Sequence, residues 1–254
     1  DSTFANNEST DGGGLYIGRG QLTEYDSLYD SNIADGDGGG VYSAVETYRS
    51  YGGVVQKNSA SGDGGGAWLR AQAPGRNTQL YGVTYRDNTA GNKGGGVAVG
   101  TLSRMVAYGL EITGNTAKYG GGVHFDDMVN DSQIFESRIW GNEASYGGGV
   151  ASFVSALDTS RSTYFQIDRT RIYDNVATVN GGGIYTQNTG AVIRDSWVYG
   201  NDATSDGGGW YGFSLKYAYL RGTTMCQNTA GRRGGGLAWD NSWGSRTVYG
   251  SVFL

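Results

Sequence analysis

Ile172-Tyr173-Asp174-Asn175-Val176-Ala177-Thr178-Val179-Asn180-Gly181-Gly182-Gly183-Ile184 is one copy of a unit that recurs nine times along the chain. Gly-Gly-Gly begins at 12, 38, 64, 94, 120, 147, 181, 207 and 234, in steps of 26, 26, 30, 26, 27, 34, 26 and 27 residues. Five or six residues ahead of each triplet stands an asparagine: Asn7, Asn32, Asn58, Asn88, Asn115, Asn142, Asn175, Asn201 and Asn228. Two residues past it comes alanine in eight units, from Ala34 to Ala230, and Ser9 in the first. Three residues before it is an apolar or aromatic side chain, from Phe4 through Ile112 to Met225, and another follows each triplet, from Leu15 to Leu237. Four columns recurring at a fixed period are the signature of a repeat array.

Between these columns the pattern is strand-like. Val106-Ala107-Tyr108-Gly109-Leu110-Glu111-Ile112 alternates, is rich in β-branched and aromatic residues, and is bounded by turn formers. No segment has the period of a three-turn helix. About three short strands in 26–27 residues fit neither propellers nor helical solenoids. A calcium-binding β-roll of nonapeptides is excluded because each unit has one glycine cluster, not three. The expectation is an all-β fold: a right-handed parallel β-helix of about nine coils, 26–27 residues per coil, in a single domain over residues 1–254. Like positions would then stack about 4.8 Å apart. The asparagines would form an inward amide ladder in a left-handed bend, the alanines would leave room for the chain to cross, and the glycines would allow close backbone approach.

Composition narrows the class. Glycine supplies 47 of 254 residues but proline only one, so the chain is not collagen. A hydrophobic content of 37% is too high for a disordered linker. A net charge of −5 argues against a protein that tracks nucleic-acid phosphates. One cysteine, Cys226, and one histidine, His124, leave no disulfide framework and no site built from two histidines. No apolar run is long enough for a membrane helix. The two long steps carry the stretches around Pro74 and from Ser152 to Ser162, insertions expected to project from one side.

Three constellations could carry chemistry. His124-Phe125-Asp126-Asp127 joins an imidazole to two carboxylates. His124 follows the inward Val123 and so should point outward, and adjacent aspartates point to opposite faces; ordinary solvated surface is the expectation. Asp11, Asp37 and Asp63 precede the first three triplets and would stack as like charges. Aspartate before glycine is a common turn residue; a calcium ion bridging the three is the alternative, and no other cofactor is expected. The column two residues after each triplet includes Tyr16, Tyr42, Trp68, Tyr185 and Tyr211, with His124 between. It alternates against the inward column, so these rings should face solvent, where they would shield the sheet or bind sugar rings or another protein.

The paired signature resembles the repeats of chlamydial polymorphic membrane proteins and related bacterial surface β-helices. It reads Phe4-Ala5-Asn6-Asn7 then Gly12-Gly13-Gly14-Leu15, and Ile172-Tyr173-Asp174-Asn175 then Gly181-Gly182-Gly183-Ile184. The resemblance covers essentially the whole chain and implies an autotransporter-like adhesin passenger, extracellular or at a cell surface. The expected function is a non-catalytic structural or adhesive solenoid, not an enzyme. Its partners would be copies of itself stacked head to tail or the flanking parts of a longer solenoid, with carbohydrate or a host surface as ligand. The alternative is a fragment of a β-helical polysaccharide lyase or glycoside hydrolase.

Overall fold

Each repeat closes into one coil of four short strands rather than the three expected, because the segment after the glycine triplet divides in two. The coil around Asn175 comprises Arg171–Tyr173, Val176–Asn180, Ile184–Gln187 and Gly190–Arg194. The structure is a computed structural model that describes residues 1–70, 76–100, 103–126, 132–154, 164–241 and 244–254. Corresponding strands of successive coils pair in four parallel sheets, here A to D in their order along the coil. Among the described residues sheet A has ten strands and B, C and D nine each, giving nine coils and the opening strand of a tenth, Val252–Phe253. The pairing has no slippage in the core column of sheet A, where Ile112, Ile139, Ile172 and Val198 are successive partners.

Register is locked at the bend from A to B. The side-chain amide of Asn142 donates to Asn175 Oδ1 at 2.9 Å, and the Asn142 backbone N–H donates to the same oxygen at 3.1 Å. The amide's second hydrogen goes to the Ile112 and Trp140 carbonyls. The same bonds join consecutive asparagines from Asn7 to Asn228. The asparagines themselves are not the left-handed residues. That conformation belongs to the preceding position, from Asn6 (φ 56°) through Asp174 (φ 52°) to Gln227 (φ 54°), with glycine at 114, 141 and 200. Placing the left-handed residue one step earlier lets each Asn present its N–H and its amide together to the next coil. A second left-handed column, including Asp26, Gly82, Gly109, Glu136 and Gly222, turns the chain from D back to A. Behind it Ser137, Thr170 and Ser196 form a smaller hydroxyl ladder.

The glycine triplets make the B-to-C corner. The first glycine is left-handed throughout, as at Gly120 (φ 65°). The second and third lie against the next coil's backbone: a Cβ on Gly121 would sit 2.4 Å from Glu143 O, and one on Gly122 2.6 Å from Gly149 O. Only hydrogen fits there, and the amides pair coil to coil, Gly121 N to Gly147 O at 3.2 Å. The interior holds one continuous apolar cluster from Tyr29 to Met225. All five undescribed stretches fall between a C strand and the D strand that follows it, and the insertions around Pro74 and from Ser152 to Ser162 fall partly in them. Among the described residues no helix is long and apolar enough to cross a membrane.

Candidate functional site

The outer face of sheet C carries the aromatic column that the sequence places toward solvent, and the structure divides it. Over the first three coils Tyr16, Tyr42 and Trp68 stand side by side in register. Their rings stack at 4.7 and 4.6 Å between centroids, and the Arg70 guanidinium lies 5.9 Å from the Trp68 ring. Tyr16 is 58% exposed, and Tyr42 and Trp68 are half-buried. Partial burial, and then the neighbouring Tyr16, raises the Tyr42 phenol above its ordinary value. This is a short ladder of aromatic rings, open on one side.

Farther along the same column the expectation of exposure fails. Tyr185 and Tyr211 are only 5% and 6% exposed, and with Ala151 they form a second apolar cluster on the outside of the sheet. Tyr119, Tyr146 and Phe213 pack over it. These two tyrosines are therefore part of an outer layer rather than a platform. Alternation along a strand sets which way a side chain points, but not what covers it.

His124 is corrected for the same reason. It points outward as expected, yet it is fully buried instead of solvated. Its in-register neighbours are Ala98 and Ala151, and the Tyr119 ring meets it edge-on at 6.3 Å. Neither ring nitrogen has a hydrogen-bond partner. Burial, reinforced by the Lys93 charge, pushes its pKa down to about 3, so the imidazole is neutral. Asp126 does not pair with it; its carboxylate receives Lys93 Nζ at 2.8 Å. Asp127 lies outside the described residues.

The stacked aspartates are bound to backbone. Asp11 Oδ1 accepts the Asp37 N–H at 2.9 Å, Asp37 Oδ1 accepts the Asp63 N–H at 2.8 Å, and Asp63 Oδ1 accepts from the Asn92 amide at 2.8 Å. The three carboxylates thus cap successive coils and do not converge on one point. Among the described residues no group of three His, Cys, Asp or Glu side chains could hold a metal ion, so the bridging calcium is not supported. Burial, together with the Asp37 charge and against that of Lys93, raises the Asp63 carboxyl above its usual range. Farther along the column Asp206 is buried beneath Arg232 and Arg233, whose hydrogen bonds hold its carboxyl well below that range.

Two further ring ladders escape a reading that starts from the triplets. On sheet D, Tyr25, Tyr51, Tyr81, Tyr108 and Phe135 stack at 4.7–5.6 Å. On sheet A, Trp140, Tyr173 and Tyr199 stack at 5.8 and 4.9 Å with nearly parallel planes. The first is visible in the sequence as aromatics at steps of 26, 30, 27 and 27 residues.

Residues 169–187, the segment that contains the Asn175 rung and the Gly181 corner, match the Chlamydia polymorphic membrane protein repeat. Comparison with curated proteins and with solved structures returned no match. The chain is a parallel β-helix with an asparagine ladder whose repeats resemble those of the polymorphic membrane proteins.

Proposed function

We propose that the chain is a non-catalytic, adhesin-like solenoid displayed at a cell surface, and that Tyr16, Tyr42 and Trp68 form its contact stripe on sheet C. The observation that carries this reading is the open stack of three rings on a scaffold whose repeat matches a surface-protein family. Aromatic faces rimmed by Arg70 suit the apolar faces of sugar rings or a protein patch of matching shape. The coil edges at the two ends suit stacking against further coils, from a longer solenoid or from another copy, because parallel pairing repeats the same register at every step.

Beads coated with the purified chain and applied to cultured epithelial cells test this. Saturable attachment that falls severalfold in Tyr42→Ala and Trp68→Ala, with melting temperature preserved, supports it; attachment unchanged in both variants overturns the stripe. The competing reading, a polysaccharide lyase or hydrolase, draws on the Lys93–Asp126 pair beside Asp63 and His124. Unsaturated-product and reducing-sugar assays across pectins, alginates and glucans are expected to stay at background. Turnover abolished by Asp126→Asn would establish the enzyme instead.

A further inference from the structure

Sheet A carries a second surface that differs from the sheet C stripe in its chemistry. Trp197 and Tyr199 lie on one strand with the inward Val198 between them, so both project outward. Trp197 is 54% exposed. Arg171 is the partner of Trp197 in the preceding coil, and Cys226 is the partner of Tyr199 in the following one. With Gln227 these residues line an open groove of about 330 Å³. The ladder of Trp140, Tyr173 and Tyr199 runs up to it as an aromatic wall.

Arg171 also lines a second groove of about 210 Å³, with Glu136, Ser137, Arg138 and Arg169. There Arg169 is paired with Glu136 at 3.1 Å, and Arg138 faces Glu111 at 3.4 Å. Arg171 has no ion pair among the described residues. It is the uncommitted cation at the junction of the two grooves, on a chain whose net charge is −5.

This surface cannot take a peptide by strand addition. The backbone groups of the strands around it are already bonded to the coils on either side, so the main-chain recognition used at open sheet edges is closed. What remains is an indole, a phenol, an amide and a free guanidinium along a shallow groove. A sugar ring offers an apolar face for the indole and hydroxyls for the amide and phenol, and a ring carboxylate matches the planar guanidinium. We infer that the groove between Trp197 and Arg171 binds an acidic oligosaccharide, with Trp197 stacking on a sugar ring and Arg171 pairing with a uronate carboxylate.

Cys226, the only cysteine of the chain, lies in the groove as a reporter. The test titrates the intact chain with tetragalacturonate, its methyl ester and pentaglutamate, by calorimetry and by the rate of Cys226 labelling with a thiol reagent. Saturable binding of tetragalacturonate that slows labelling is expected. Trp197→Ala should weaken binding of both the acid and the ester by about tenfold, the equivalent of about 1.4 kcal/mol. Arg171→Gln should weaken the acid by a similar factor and leave the ester nearly unchanged. Tyr42→Ala, on the other sheet, should bind as the wild type does, so failure here leaves the sheet C stripe untouched. Both groove variants alter exposed side chains, and an unchanged melting temperature verifies their folding. Absence of saturable binding, binding indifferent to Trp197→Ala, or pentaglutamate binding equal to the uronate would overturn the inference.

Discussion

Asn142 shows how much one residue carries in this fold. Its amide and backbone N–H donate to the next coil, its Oδ1 receives both donors of Asn115, and its Nδ2 also reaches two carbonyls. Truncation leaves donors and acceptors unmet in a buried bend, and polar networks of this kind are worth more than one isolated bond. Asn142→Ala is expected to destabilise by about 2–4 kcal/mol in urea unfolding, whereas Thr178→Ala, exposed on the adjoining B strand, stays within about 0.5 kcal/mol. Equal losses would remove the ladder from the list of stabilising features. Glycine offers a parallel contrast. Gly121→Ala forces a Cβ against two carbonyl oxygens and is expected to cost about 3 kcal/mol or more. At Gly100 the nearest atom to a new Cβ is Trp68 Cζ2 at 3.4 Å, an ordinary contact, so Gly100→Ala changes stability by less than about 1 kcal/mol.

At the scale of the strand, the sequence reveals what points inward but not what is roofed over. The apolar residue three before each Asn and the first residue after each triplet are core, as their spacing predicts. That much is local, because a strand has a period of two. Tyr185, Tyr211 and His124 also point outward as predicted, but Tyr146 from the preceding coil packs on Tyr185, and Tyr119 of its own coil meets His124. The alternation along a strand encodes neither cover. The fourth strand and the left-handed residue before each Asn were hidden for another reason: Asn6, Ser31, Lys57, Asp87 and Gln227 share a backbone conformation without sharing a side chain. The outward ring stack of Tyr16, Tyr42 and Trp68 on sheet C was thus legible, while the groove beside Trp197 arises from partners 26 or more residues apart.

The outer layer over His124 has a measurable signature. The folded imidazole keeps its neutral form down to a pKa of about 3, whereas an unfolded histidine titrates near 6.5. The unfolded chain therefore takes up the proton first, and stability falls as pH drops below about 6.5, by up to about 1.4 kcal/mol per unit. His124→Leu should flatten the dependence of unfolding free energy on pH between 7 and 5, above the range where most carboxylates titrate. An unchanged slope would mean that the imidazole is hydrated in solution.

Over the whole molecule every coil contacts mainly the coil before and the coil after, so stability is a sum of like interfaces rather than the property of one centre. Amide protection against exchange should therefore peak in the middle coils and decline toward the last, where Val248, Tyr249, Val252 and Phe253 are exposed.

The parallel stacking of sheets A to D also fixes how the protein bears load. Its inter-strand hydrogen bonds lie along the solenoid axis, so tension applied between the two ends opens them one layer at a time instead of shearing a whole sheet at once. A stretched molecule should peel like tape from a roll. Each release frees one repeat: about 85 Å of contour for 26 residues, about 100 Å for the 30-residue repeat between Gly64 and Gly94, and about 110 Å for the 34-residue repeat between Gly147 and Gly181. Single-molecule pulling should record a low-force sawtooth with those three spacings, and one large rupture of the full length would show that the coils fail together.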